Sequence, residues 1–263
     1  MNGSNGSNGA NGANGNGHSR IRVGSLPLDA VDFDGAIDAI EALVVAGQGG
    51  AVFTPNVDHI VLAEQNQRFR QAYQQASLSL VDGMPVLWAS RLLRKPLPMK
   101  VSGSDLIRPL MRRAADRKFR VYMLGGAPGI AHEAAHVLKR DFPGLEVCGT
   151  DDSRVDVDRV DPDVIKRIKD AAPHIVLIAL GAPKQEIFSI EQREALGPAV
   201  AIGVGASLDF IAGVKKRAPR WVSYTGFEWL YRLVQEPRRL ASRYLLRDPR
   251  FFVILARQLR EER

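Results

Sequence analysis

Apolar residues in this chain arrive in two rhythms. Short runs such as "GAVFT", "LSLV", "FRVYMLGG", "LEVCGT" and "HIVLIALG" are rich in Val, Ile and Leu. Between them, "DFDGAIDAIEALVVA", "NVDHIVLAEQNQRFRQAYQQA", "SDLIRPLMRRAAD", "PGIAHEAAHVLKRDF" and "DPDVIKRIKDAA" space their apolar positions three to four apart. The first rhythm belongs to strands buried on both faces, the second to amphipathic helices. Strand and helix alternate, which predicts an α/β fold: a parallel sheet with helices on both faces. "RIRVGSLPL" reads as an opening strand region, "PVLWASRLL" and "KQEIFSIEQREAL" as helices, and "AVAIGVGASLDF" as a strand or strand pair. An acid stands ready to cap the first helix, Ser104 or Ser102 to cap "SDLIRPLMRRAAD", and Pro128 lies near another helix start. A break is expected near Asn66, and no fixed-period repeat is present.

Composition divides the chain. Its 263 residues are 45% hydrophobic, enough for a substantial core. The Gly/Asn-rich start cannot bury enough area to offset its ordering entropy, so residues 1–20 are expected to form a disordered tail. No signal-peptide-like segment is expected there, and no apolar run reaches the roughly 18 residues of a membrane span. Cys148 is the single cysteine, which excludes an intrachain disulfide and Cys-rich zinc patterns. The net charge of +7 is lopsided: Lys215 to Arg263 carries 13 Lys/Arg and 5 Asp/Glu, leaving residues 1–214 near −1. The expected organisation is the tail, an α/β domain over 21–212, and a basic helical appendage over 213–263 whose charge points to a local partner.

Candidate chemistry sits where strands end, because open α/β sheets place ligands at their C-terminal edge. In "SLSLVDGMP" a carboxylate, Asp82, follows a buried run; Asp-Gly is also a common turn pair. "LGGAPG" offers Gly125 and Gly126 before a helix start that could receive a phosphate, although Ala127 breaks the dinucleotide fingerprint and no Walker lysine follows. "LGAPKQE" places Lys184 and Gln185 at a helix start after a strand. "GVGASLDF" would let a ligand approach through Gly203 and Gly205, with Asp209 as an acceptor for ribose or base. Asp32/Asp34, Asp156/Asp158 and His132/His136 have metal-ligand spacings, but caps and solvated loops explain them better, so no metal and no cofactor are expected. No G-x-S-x-G hydrolase motif is present.

Six blocks in order, "TPNVDHIVLA", "LSLVDGMPVLWASRLLRKPLPMKVSGSDL", "VYMLGGAPGIAHEAA", "LIALGAPKQE", "AIGVGASLDFIAGVKKRAPRW" and "GFEWLYRLVQEPRRLASRYL", resemble the WecG/TagA/CpsF glycosyltransferases from about Ile21 to Leu246. The resemblance implies a Rossmann-like α/β domain with a basic C-terminal appendage. It implies inverting, metal-independent transfer of a hexose or N-acetylhexosamine from a UDP-sugar to a polyprenyl-diphosphate-linked sugar, in assembly of exopolysaccharide, teichoic acid linker or antigen. By position it makes Asp82 the catalytic base, puts Thr54 and Asn56 in the same pocket, Gln185 at the active-site glutamine, and Asp209 at a nucleotide-side carboxylate. Two departures stand out: Lys100 replaces a usual arginine, turning a bidentate phosphate grip into a point charge, and "CGTDDSRVDVD" lacks a His-Gly-Tyr-Phe-like stretch.

On this reading Asp82 deprotonates the acceptor hydroxyl, Thr54 and Asn56 orient hydroxyls, and Gln185 holds the sugar. Lys100 and the appendage arginines, Arg232, Arg239 and Arg243 among them, supply fixed positive charge for diphosphate, and Lys184 is a further substrate-binding candidate. Arg239, Arg243, Arg247 and Arg250 form one helical stripe if Pro249 does not break it. With the apolar "FFVIL" cluster, the stripe fits an anionic membrane surface or folds over the pocket, and both remain open. The expected location is cytoplasmic, peripheral on the inner face of a bacterial plasma membrane, with a homo-oligomer among the expected partners. Two other classes compete. A nucleic-acid-binding protein would use the basic end, but basic charge is confined there and no RNA-binding aromatic pattern is seen, so no nucleic-acid partner is expected. A non-catalytic UDP-sugar sensor would leave Asp82 a turn residue.

Overall fold

The structure is a computed structural model, and it describes residues 17–219, 222 and 225–262. Most of the expected tail lies outside the described residues. The chain opens with β1 (Arg20–Val23) and β2 (Leu26–Asp29), followed by α1 (Phe33–Ala46). Next come β3 (Gly50–Phe53), α2 (Val57–Gln65), α3 (Gln67–Gln74), β4 (Leu78–Ser79), α4 (Met84–Leu92) and α5 (Gly103–Arg117). Then follow β5 (Arg120–Gly125), α6 (Ile130–Asp141), β6 (Glu146–Asp151), α7 (Pro162–Ala171), β7 (Ile175–Ala179), α8 (Lys184–Glu191), α9 (Arg193–Leu196), β8 (Val200–Gly203) and α10 (Ser207–Ile211). The C-terminal part is α11 (Glu228–Gln235), α12 (Pro237–Ser242), a π-helical turn (Arg243–Arg247) and α13 (Arg250–Glu261).

Six strands form one parallel sheet in the order β4-β3-β8-β7-β5-β6, as the strand and helix rhythm predicts. Successive strand residues face opposite layers, the period-two rule of a pleated strand. Val52, Met123, Leu177 and Ile202 join α1, α5, α6 and α10 in one core cluster. Phe53 packs on the other face with α2, α3 and α4. Leu124, Ile178 and Ala201 pack there with α7 and α8.

Two expectations change. "RIRVGSLPL" does not enter the main sheet: β1 and β2 pair antiparallel as a separate hairpin. The carboxylate of buried Asp29 accepts two hydrogen bonds from Arg20 at 2.8 Å and one from the Ser79 amide at 2.7 Å. The hairpin thereby covers the outer strand β4, whose unpaired edge would otherwise face water. The second change is in "AVAIGVGASLDF", which contains one strand, β8, followed by the short helix α10. Local capping follows sequence. Asp32 caps α1, Ser102 rather than Ser104 caps α5, and Asn66 both ends α2 and caps α3.

α13 is part of the main core. Phe251, Ile254 and Leu255 pack in the same cluster as Ile21, Val23, Ile60 and Phe53. Gln258 clamps the hairpin turn, accepting from the Gly24 amide at 2.8 Å and donating to the Arg22 carbonyl at 2.9 Å. The segment between α10 and α13 is therefore held at both ends over the C-terminal edge of the sheet.

Candidate active site

The strand ends build the site floor. Pairing of β3 with β4 continues beyond the strands: Leu80 N donates to Phe53 O at 2.8 Å and Asp82 N to Pro55 O at 2.9 Å. Val101 N donates to Val81 O at 2.7 Å, which draws in the segment carrying Lys100. Asp82 is thus fixed between the β3–α2 loop and the approach to α5. Gly83, at φ 100°, turns the chain into α4 in a conformation a side chain would strain.

Asp82 and Asn56 line one cavity of about 270 Å³, together with Val57, Gly83, Met84 and Pro85. The C-terminal segment supplies the opposite wall: Glu228, Trp229 and Arg232 from α11, Arg243 and Tyr244 from the π-turn, and Asp248, Pro249, Phe251 and Phe252 beyond it. The sequence reading named Arg232 and Arg243 as cations and Trp229 and "FFVIL" as apolar positions, but passed over Glu228, Tyr244 and Asp248. Gly226, at φ 82°, packs against Trp88, where a Cβ would lie 2.6 Å from the ring.

Charge surrounds Asp82. Burial pushes its carboxyl up to about 6, and Glu228 adds to the shift, while Lys100 and Arg232 oppose it. Lys100 is buried, 3.7 Å from Glu228 and 3.9 Å from Asp105. Arg232 pairs with Glu228 at 2.8 Å and lies over the Phe210 ring. Arg217 holds Asp105 at 2.6 Å. A carboxyl titrating near neutrality beside fixed cations has the character of a general base.

Asn56 is placed by a reciprocal cap on α2. Its amide N donates to His59 Nδ1 at 3.1 Å, and its Oδ1 accepts from His59 N at 3.4 Å and from Arg243 Nη2 at 3.1 Å. Beside it, buried Asp58 draws Arg243 to 3.2 Å and Arg247 to 2.7 Å. The arginine stripe is therefore not one continuous α-helical face: a π-helical turn and then Pro249, at the start of α13, interrupt it. Arg243 and Arg247 turn toward Asp58, whereas Arg250 stays exposed. The Arg239 side chain lies outside the described residues. A second surface pocket, about 300 Å³, is lined by Ser242, Arg243, Leu246, Arg247 and Arg250.

The remaining candidates sit on neighbouring loops. The Thr54 hydroxyl faces the start of α5, 3.3 Å from where a Cβ on Gly103 would stand. Gln185 is buried: its Oε1 accepts from Gly205 N at 3.1 Å, and its Nε2 donates to Glu186 Oε1 at 2.8 Å. A Cβ on Gly203 would stand 2.9 Å from that Nε2, so the Gln185 side chain occupies the approach expected of a ligand there. Neither Thr54 nor Gln185 lines the Asp82 cavity. Asp209 pairs with Lys215 at 3.6 Å, and Lys184 is exposed.

Gly125 and Gly126 lie beside the topological switch point, where β5 leads outward to β6 and its neighbour β7 leads to β8. Both have positive φ, and a Cβ on Gly125 would stand 2.9 Å from the Ala179 backbone, so close approach of two strand ends requires glycine there. The first amide of the following turn, Gly129 N, donates to Asp152 at 2.8 Å. Among the described residues no three His, Cys, Asp or Glu side chains form a metal-holding group. No helix among them is long and apolar enough to cross a membrane.

Sequence reasoning passed over Asp58, His59 and Glu186, although each stands inside a quoted block. The available signal was an acid or imidazole on the inward side of a helix start.

Comparison with known proteins agrees with this architecture. The family model described as "Glycosyl transferase WecG/TagA/CpsF family" matches residues 21–263. Similar proteins include the N-acetylglucosaminyldiphosphoundecaprenol N-acetyl-beta-D-mannosaminyltransferase of Bacillus spizizenii, 36% identical over 192 residues, 73% of this chain and 74% of the relative. The enzyme of the same name from Bacillus subtilis is 31% identical over 204 residues, 77% of this chain and 78% of the relative.

Proposed function

Because the chain belongs to the WecG/TagA/CpsF glycosyltransferase family, we propose that it moves an N-acetylhexosamine from a UDP-sugar to N-acetylglucosaminyl-diphospho-polyprenol, with inversion and without a metal, in cell-surface polysaccharide assembly. The acceptor class comes from the names of the relatives. The observation that carries the chemistry is the raised carboxyl of Asp82 in a cavity walled by Arg232 and Arg243.

Asp82 takes the proton of the acceptor hydroxyl. The hydroxyl oxygen forms the new bond to the anomeric carbon, and the bond from that carbon to the UDP oxygen breaks with its electron pair leaving on UDP. A general base of this kind contributes about 10²–10⁴-fold. Arg243, Arg247 and Arg250, around the 300 Å³ pocket, hold the acceptor diphosphate. Lys100 and Arg232 balance negative charge as it develops beside Asp82. Leu245, Leu246 and Val253 are exposed near these arginines, a combination that seats on an anionic membrane while the prenyl chain stays in lipid. The protein then works at the cytoplasmic face.

The test is product formation from a panel of UDP-sugars with a synthetic N-acetylglucosaminyl-diphospho-prenol, followed by chromatography, with and without EDTA. We expect one UDP-N-acetylhexosamine to give a disaccharide-diphospho-prenol at a rate EDTA does not change. Absence of product from every donor overturns the reading, and loss of rate with EDTA overturns its metal independence.

A further inference from the structure

We propose that Glu186 is a positioning residue for this transfer: it bridges the β8 loop, through Gln185, and the β3–α2 loop, through His59, and so sets the Asn56 edge of the site. The inference rests on the glycosyltransferase reading above and assigns a role that reading does not contain. Glu186 is 1% exposed, so its carboxyl has no access to solvent. Its Oε1 accepts from Gln185 Nε2 at 2.8 Å, and His59 Nε2 lies 3.6 Å away. Gln185 in turn holds Gly205 N. His59 accepts the Asn56 amide proton on Nδ1, so the neutral ring carries its own proton on Nε2, toward Glu186. Phe69 stacks on the imidazole with ring centroids 5.8 Å apart, which leaves the ring little freedom to turn. The chain of contacts runs from Gly205 through Gln185, Glu186 and His59 to Asn56, whose Oδ1 receives Arg243.

Among the described residues Glu186 has no cation as its direct partner, and its Oε2 is buried without a hydrogen-bond partner. A lone buried carboxylate is costly, so the group takes up a proton; burial pushes its carboxyl up to about 7. Desolvation pushes His59 down to about 3, so the ring stays neutral. The groups facing Glu186 are Asp58 and His59 from α2 and Tyr73 from α3, and Tyr73 also has an unpaired buried hydroxyl. None of them is a cation. The arrangement favours the protonated acid over a carboxylate that no facing cation balances. It does not suit an ion pair.

The experiment compares E186A and E186Q with the wild-type full chain, using folded protein verified by thermal melts. Misplacement of a site edge by about 1 Å costs up to about 100-fold in rate. We expect E186A to lower kcat about 10- to 100-fold while donor KM changes less than about threefold, and E186Q, which keeps the accepting oxygen, to restore kcat to within about threefold. Nitrogen-15 spectra of the imidazoles report His59 as the neutral Nε2–H tautomer from pH 5 to 8 in the wild type. Full kcat in E186A, an E186Q as impaired as E186A, or an Nδ1–H tautomer each overturns the proposal. If the wild type transfers no sugar at all, the functional reading fails instead, and the tautomer still decides whether the bridge exists.

Discussion

At the scale of the residue, the proposed mechanism sets one carboxylate's reactivity against its contribution to stability. Asp82 must be deprotonated to act as a base, so kcat should rise with pH through an apparent pKa of about 6. Asp82→Asn should keep the fold and UDP-sugar affinity but lower kcat about 10²–10⁴-fold; near-normal turnover removes Asp82 from the role. The same substitution should stabilise the protein in alkali. Between the unfolded value of 3.8 and the folded value of about 6, the native state holds a proton the unfolded chain has released. Bound protons are then more numerous in the native state, so stability falls as pH rises through that window and stays lower above it. Glu186 adds the same slope between 4.5 and about 7. Unfolding free energies of Asp82→Asn and E186Q from urea titration should therefore exceed wild type at pH 8 by more than at pH 4, by up to a few kcal/mol in all. An equal difference at both pH values would mean that neither carboxyl is shifted.

At the scale of the element, the lesson is where periodicity carries information. Strands buried on both faces and helices with one apolar stripe announce themselves, so the sheet and its covering helices were legible from hydrophobic spacing. Asp82, Asn56 and Lys184 were also legible as residues at strand ends or helix starts. The hairpin was not: Ile21, Val23, Leu26 and Leu28 alternate as any strand does, and only the hydrogen bond from Ser79 N to the Asp29 carboxylate shows which edge they cover. α10 was hidden because Ser207 to Ile211 is too short to display a helical period. The arginine stripe misled for a related reason. Spacing describes a continuous α-helix, whereas a π-helical turn and Pro249 interrupt it: Arg243 and Arg247 pair with Asp58 while Arg250 stays exposed, although all three line one surface pocket. Asp58, which sequence reasoning passed over, is what those two arginines meet. Asp58→Asn removes that charge without changing shape. We expect limited proteolysis to cut between residues 243 and 249 faster, and kcat to drop about tenfold as Arg243 loses its alignment with Asn56. Unchanged cleavage and rate would mean that the arginines need no anchor.

At the scale of the molecule, α13 has two faces of opposite character. Its inward face, Phe251, Ile254, Leu255 and Gln258, is buried against the opening hairpin and α2, so the end of the chain closes the core that its beginning starts. Its outward face and the turn before it expose Val253 and Leu246, at 71% and 72%. Exposed apolar side chains contribute nothing to folding, so if they matter it is to a partner, and the neighbouring arginines point to an anionic lipid surface. The two faces therefore make separable predictions. Ile254→Ala should cost about 2–5 kcal/mol in urea unfolding, because a cavity opens under the hairpin. Leu246→Ser with Val253→Ser should leave unfolding within about 0.5 kcal/mol of wild type. That double variant should nonetheless float poorly with vesicles rich in anionic phospholipid, and should turn over a short-chain soluble acceptor as the wild type does. A double variant that floats like the wild type would detach this surface from the membrane, leaving the roof over Asp82 as the whole role of the basic end.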